Sequence, residues 1–169
     1  MGKEKNQIIS TIVEHKPGVL YIVANLFRRR GFNIESISVG STEQSDLARM
    51  TITVKGDERT IEQVVKQLNK LIDIIKVSRL DPANIVTREL ALIKVRALDT
   101  KVRSDVINYA DIFRARVVDV SSESLMVEIT GTSDKITAFL DLMKPFGVKE
   151  VARTGVTALS RGVKSLKVE

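Results

Sequence analysis

One pattern occurs twice along this chain, and a repeat of this length leaves few folds open. Residues 7–80 run strand, helix, strand, strand, helix, strand, and residues 86–162 follow the same order. The strand signal is sharpest in "LARMTITV", where Ala48, Met50, Ile52 and Val54 fall on one face and Arg49, Thr51 and Thr53 on the other. "QIISTIV" at 7–13, "NIESISV" at 33–39, "DIIKVSRL" at 73–80, "ELALIKVRA" at 89–97, "RVVDV" at 116–120, "LMVEIT" at 125–130 and "VKEVAR" at 148–153 supply the other strands. Helices follow from apolar stripes at the helical period: Val19, Ile22, Val23, Leu26 and Phe27, then Ile61, Val64, Val65 and Leu68. Val102, Val106, Tyr109, Ala110 and Phe113 make the third, and Ile136, Phe139, Leu140 and Met143 the fourth.

The two copies also match in residues. "ANLFRRR" at 24–30 aligns with "ADIFRAR" at 110–116, and "MTITVKGDERTIEQVV" at 50–65 with "LMVEITGTSDKITAFL" at 125–140, Gly56 over Gly131. After each of those glycines comes a polar cluster suited to capping a helix. Pro82 and Asn84 interrupt both periods between Asp81 and Thr87, which places a boundary there. The expected architecture is α+β: two ferredoxin-like domains, 7–80 and 86–162, each an antiparallel sheet with two helices on one face. The other face of the first sheet carries Ser36, Ser38, Arg49, Thr51 and Thr53 and is polar enough to meet water. Free sheet edges are a liability that pairing of two copies removes, so a homodimer is expected.

Composition narrows function further. The chain has no cysteine, and His15 is its one histidine. Neither a Ser-His-Asp arrangement with a spare base nor a His/Cys metal cluster can be assembled from it, which argues against an enzyme or a transition-metal sensor. Absence of cysteine suits a reducing cytoplasm. The opening "MGKEKNQIIS" is charged and lacks an apolar stretch of signal-peptide or membrane-helix length, and Asn6 stands where an acylation signal beginning Met1-Gly2 needs Ser or Thr. A soluble cytoplasmic protein with no membrane partner is the expectation. The net charge of +6 is spread over both halves, and the one basic run, Arg28, Arg29 and Arg30, sits at a helix C-terminus where the dipole favours it.

Chemistry concentrates at "HKPGVL", residues 15–20. About four residues join the first strand to the first helix, so the helix head lies beside the sheet with its N–H groups open to an anion such as a carboxylate. Gly18 either admits a ligand close to the backbone or supplies a positive φ, and Pro17 stiffens the entry. Ordinary turn punctuation explains the same tetrapeptide. Asn33, at the head of the second strand, can donate to a carboxylate and accept from an ammonium group, or act as a local turn former after Gly31.

"HKPGVLYIVANLFRRRGFNIESISV", followed by "ARMTITVKGD" and "LNKLIDIIKVSRL", resembles the ACT domain, a ferredoxin-like module that binds small ligands, most often amino acids. With "ADIFRARVVDV", "EITGTSDKITAFL" and "VARTGVTALSRG", the chain from about residue 7 to residue 162 is similar to the small, regulatory subunits of acetohydroxyacid synthase (acetolactate synthase). That resemblance implies a non-catalytic chain that stimulates a separate large subunit, confers feedback inhibition by valine or by isoleucine or leucine, and serves branched-chain amino-acid biosynthesis. It implies no cofactor here, with thiamine diphosphate, Mg and FAD confined to the catalytic partner. It further implies ACT domains dimerised side by side, the effector lying between Gly18 and Val19 of one chain and Asn33 and Ile34 of the other. His15 takes a loop position where relatives often carry Asn or Asp.

RNA binding is the rival, because RNA-recognition motifs share this element order and stack bases on aromatics of the central strands. Nearly all of the seven aromatics here fall on or beside helices, which favours core packing and no nucleic-acid partner. The second half either binds the catalytic subunit or supports the first. "RTGVTALSRG", 153–162, suits a segment ordered by a partner, or a loose C-terminal extension.

Overall fold

The computed structural model describes residues 5–163, 165 and 166; Met1 and Gly2, where an acylation signal would stand, lie outside them. The chain divides between Val86 and Thr87 into two units, and residues from Gly155 onward join the first.

In the first unit β1 (Lys5–Glu14), α1 (Val19–Arg30), β2 (Ile34–Ser41), β3 (Leu47–Gly56), α2 (Glu58–Leu68) and β4 (Ile74–Leu80) follow the expected order. All neighbours in the sheet β2-β3-β1-β4 are antiparallel. Ile52 pairs with Ile9 on one side and with Ile37 on the other, so the alternation stays in phase across three strands and sends one apolar set to a common face. There Ile9, Val13, Met50, Ile52 and Val54 meet Val19, Val23 and Phe27 of α1 and Ile61, Val64 and Leu68 of α2. Asp57 caps α2, its carboxylate accepting from the Thr60 N–H at 2.8 Å.

The second unit repeats the plan with β5 (Ile85–Arg96), α3 (Thr100–Ile112), β6 (Arg116–Val120), β7 (Ser124–Gly131), α4 (Ser133–Met143) and β8 (Val148–Arg153), in the sheet order β6-β7-β5-β8. Its core joins Ala91, Ile93, Val95, Leu125, Val127 and Ile129 to Val106, Ala110, Ile136, Phe139 and Met143. The match of 50–65 with 125–140 holds in space: Gly56 and Gly131 each end a strand two residues before a helix begins. That of 24–30 with 110–116 does not hold, α3 ending four positions short of the aligned end of α1. Residues 24–30 are all helical, whereas α3 stops at Ile112 and residue 116 already opens β6.

Two expectations need correction. The helix-free face of the first sheet is not left to water: Ser10, Thr51 and Thr53 are buried. And the segment 153–162 is not a loose extension but packs within this chain. It contains a ninth strand, β9 (Thr157–Ser160), which pairs with β5, whose first residues, Ile85 and Val86, belong to the first unit. Val156 and Ala158 are buried with Leu80 beside Ile8 and Ile85. The residues expected to end the second domain therefore take their apolar cover from the first.

Candidate functional site

The loop "HKPG" is built as a short, tied bridge. Glu14 closes β1, and its N–H donates to the Asp73 carbonyl at 3.0 Å, while the His15 N–H donates to the Asp46 carbonyl at 2.7 Å. Lys16 then ion-pairs with Glu14 and, at 2.6 Å, with the buried carboxylate of Asp73. Those two acids, Asp73 first, hold the Lys16 ammonium above its ordinary pKa. Beside this clamp lies an open groove of about 530 Å³ lined by Glu14, His15, Lys16, Gln44, Asp46, Leu47 and Ile75.

Gly18 is the N-cap of α1 at φ 92°, ψ −19°, and a Cβ added to it would meet nothing within 4 Å. The glycine is therefore required by its left-handed backbone and not by a crowding neighbour. The Ile22 N–H donates to the Gly18 carbonyl at 3.0 Å; no side chain caps this helix, and its first turn has no acidic residue. The head of α1 thus presents N–H groups and the positive end of the dipole without a built-in anion. The Val19 side chain is buried in the core. What it can offer a ligand is backbone.

Asn33 and Ile34 stand elsewhere. Asn33 is exposed and its Nδ2 donates to Glu35 Oε1 at 2.6 Å; Ile34 opens β2 and packs against the first core. Strand register fixes their distance from the loop. Ala48 pairs with Val13 and with Ser41, marking the end of the sheet that carries the loop, whereas Val54 pairs with Gln7 and with Ile34 at the other. Six steps along β3 separate these ends by about 20 Å, and the 12 residues of α1 span about 18 Å. One chain therefore brings His15, Gly18 and Val19 together and Asn33 and Ile34 together, but not the two groups.

Comparison with known proteins gives this geometry its context. The family model for the small subunit of acetolactate synthase matches residues 88–162, and that for the AHAS small subunit-like ACT domain matches residues 9–76. A probable acetolactate synthase small subunit from Methanothermobacter thermautotrophicus is 59% identical over 159 residues, covering 94% of this chain and 95% of that one. This chain belongs to the acetolactate synthase small-subunit family. The acetolactate synthase small subunit of Mycolicibacterium smegmatis is 52% identical over 158 residues, 94% of this chain and 92% of its own. The crystal structure of the acetolactate synthase small subunit from Thermotoga maritima superposes with a TM-score of 0.88 at 46% identity, covering 94% of this chain and 98% of that one. The ferredoxin-like α+β fold and the ACT domain expected of such a small subunit are thus both present.

For a small subunit of this kind, sequence reading missed the Glu14–Lys16–Asp73 clamp. Its signal was faint: an acid at the head of a strand, fifty-odd residues from the loop it holds, looks like any solvated Asp. Among the described residues no group of three or more His, Cys, Asp or Glu could hold a metal, and no helix is long and apolar enough to cross a membrane.

Proposed function

We propose that this chain is the regulatory, non-catalytic subunit that docks on the large catalytic subunit of acetolactate synthase, stimulates it in the cytoplasm, and makes it sensitive to a branched-chain amino acid. Thiamine diphosphate, Mg and FAD belong to that partner, which supplies the chemistry. The observation that carries the reading is the separation of the two halves of the effector site. Each chain owns an uncapped helix head at one end of its sheet and an amide-bearing strand start about 20 Å away at the other.

Two copies resolve the separation. β2 is the terminal strand of its sheet. If two β2 edges pair antiparallel about a two-fold axis, the start of one strand lies beside the end of the other. The partner copy's amide then arrives at the end where the α1 head opens. Leu20, Tyr21 and Val39, half or more exposed or nearly so, supply apolar surface for that junction. In the resulting crevice the carboxylate of the effector accepts from N–H groups at Val19 and beyond, Asn33 exchanges Glu35 for the polar end of the ligand, and the aliphatic side chain rests near Leu20 and Ile34. One methylene in such an apolar pocket distinguishes ligands by only about 1–3 kcal/mol, so valine, isoleucine and leucine bind in a graded series. A coupling of roughly 1–3 kcal/mol between effector and dimer geometry suffices to control the partner.

Calorimetric titration with the three amino acids tests binding, and mixing tests the shared site. Gly18→Asp and Asn33→Ala chains each bind nothing alone; half of a randomised mixture is heterodimer with one intact crevice, which restores about a quarter of the original sites. No restoration would place each site within one chain. The RNA-recognition alternative gains no support, because none of the seven aromatic residues belongs to a strand.

A further inference from the structure

The stretch that follows β8 crosses the helix-free face of the first sheet, and its closest grip is on the strand that begins with Ile34. Ser38 Oγ donates to the Val156 carbonyl at 2.9 Å and lies 3.3 Å from Thr157 Oγ1. With the one Ser38 proton used on Val156, Thr157 is the donor of the second bond. The Val156 N–H reaches Ser36 Oγ at 3.4 Å, and Ser36 passes its own proton to Thr53 Oγ1 at 3.1 Å. Between these two serines, Gly155 lies against the main chain: a Cβ there would stand 2.5 Å from the Ile37 carbonyl oxygen and 2.7 Å from its carbon. The far end is tied as well, the Arg161 N–H donating to the Asn84 carbonyl at 2.8 Å and its Nε to the Ile85 carbonyl at 3.2 Å. Arg49 joins both layers, donating to Ser10 Oγ at 3.1 Å and to the Leu166 carbonyl at 3.4 Å.

β2 needs such support. Within one chain this terminal strand has one ladder neighbour, β3, and the register slips between Ile34 and Ser36, just where the effector residues stand. An edge strand with a bulge and one neighbour is prone to shift or fray. Two serines hydrogen-bonded to a strap on one face, with Ile37 packed into the core on the other, fix its height and twist at Ser36–Ser38.

We infer that residues Gly155–Arg161 are the positioning element of β2: a strap that never meets the effector sets the strand on which Asn33 and Ile34 are presented. The consequence for affinity rests on the effector reading above; the consequence for the strand does not. The test uses the full chain in three variants, with hydrogen exchange of the β2 amides and calorimetric titration with valine. In Gly155→Ala the new methyl meets main chain that can only move as a strand, so the amides of Ile34–Ser38 exchange about tenfold faster, while those of β6–β8 exchange as in the parent. Valine then binds about tenfold more weakly, equal to ~1.4 kcal/mol.

Ser38→Ala removes only the hydroxyl and gives the same changes in smaller measure, and Ser38→Thr, which keeps the hydroxyl, restores them; this pair decides the matter if Gly155→Ala does not fold. Parent-like exchange of β2 in both Gly155→Ala and Ser38→Ala would overturn the inference. Faster β2 exchange with unchanged valine affinity would overturn its claim on the effector. A parent chain that binds none of the three amino acids would instead fell the effector reading, with the exchange result still deciding the strap.

Discussion

The two units share a plan but treat the head of their first helix in opposite ways. At α3 the N-cap is Asp99, extended at φ −119°, whose carboxylate accepts from the Val102 N–H at 2.8 Å. At α1 it is Gly18, left-handed and without a side chain. One copy fills the anion site with its own residue, and the other leaves it open. The helix tails differ in a complementary way. α1 closes on Gly31 at φ 67°, but the corresponding left-handed turn after α3 is made by Arg114 at φ 52°, a conformation that costs a side-chain-bearing residue roughly 1 kcal/mol. The second unit thus caps the head of its first helix with its own carboxylate, and the first leaves the N–H groups at that head without a side-chain partner, where an anion is favoured.

That comparison can be broken most severely at Gly18. Gly18→Asp imitates Asp99 in chemistry but not in backbone, since a capping residue needs extended φ. We expect valine binding to fall on the order of a hundredfold or more, a loss beyond 2.7 kcal/mol in affinity by the usual conversion, because a fixed carboxylate repels the ligand's own. Stability should change far less, the left-handed strain of ~1–2 kcal/mol being partly offset by the favourable charge at the helix head. Calorimetry and urea unfolding on one preparation separate the two effects; retained valine binding would mean that the uncapped helix head is not the site.

A smaller effect is expected at the other helix. Asp99→Ala strips the cap from α3 and should destabilise the second unit by about 1 kcal/mol while leaving valine affinity as it was. Loss of valine binding in this variant would erase the distinction between the copies. Smallest is Arg114→Gly, which relieves the left-handed strain and should raise stability by ~0.5–1 kcal/mol, read as a higher urea midpoint at unchanged slope. A lower midpoint would show that the Arg114 side chain contributes more than its backbone costs.

Much of this was legible in residues alone. Alternation in "LARMTITV" and the stripes of the four helices specify elements because burying one face is the main driving force and its period is written in the residue order. Glycine at position 18 was legible as a special backbone position, but its left-handed φ and the open space around a would-be Cβ are known only from the structure. The mismatch between "ANLFRRR" and "ADIFRAR" went unseen because both strings suit a helix, and where a helix stops depends on the turn that follows. Asp73 carries no signal of its tie to Lys16, and Ser36, Thr51 and Thr53 read as a set that meets water. Polar residues can equally be buried when hydrogen-bonded partners cover them, and sequence does not say which.

Sequence by itself determined the order of elements, the duplication, the two apolar cores and the loop whose chemistry suits an anion, since each depends on residues near one another along the chain. Only the tertiary structure decided that the loop and Asn33 stand at opposite ends of one sheet, that Lys16 is anchored by Asp73, and that residues 155–161 return to strap β2. These relations join segments far apart in the chain, and they are set by strand register and by which surfaces find cover, quantities that exist only once the chain has folded.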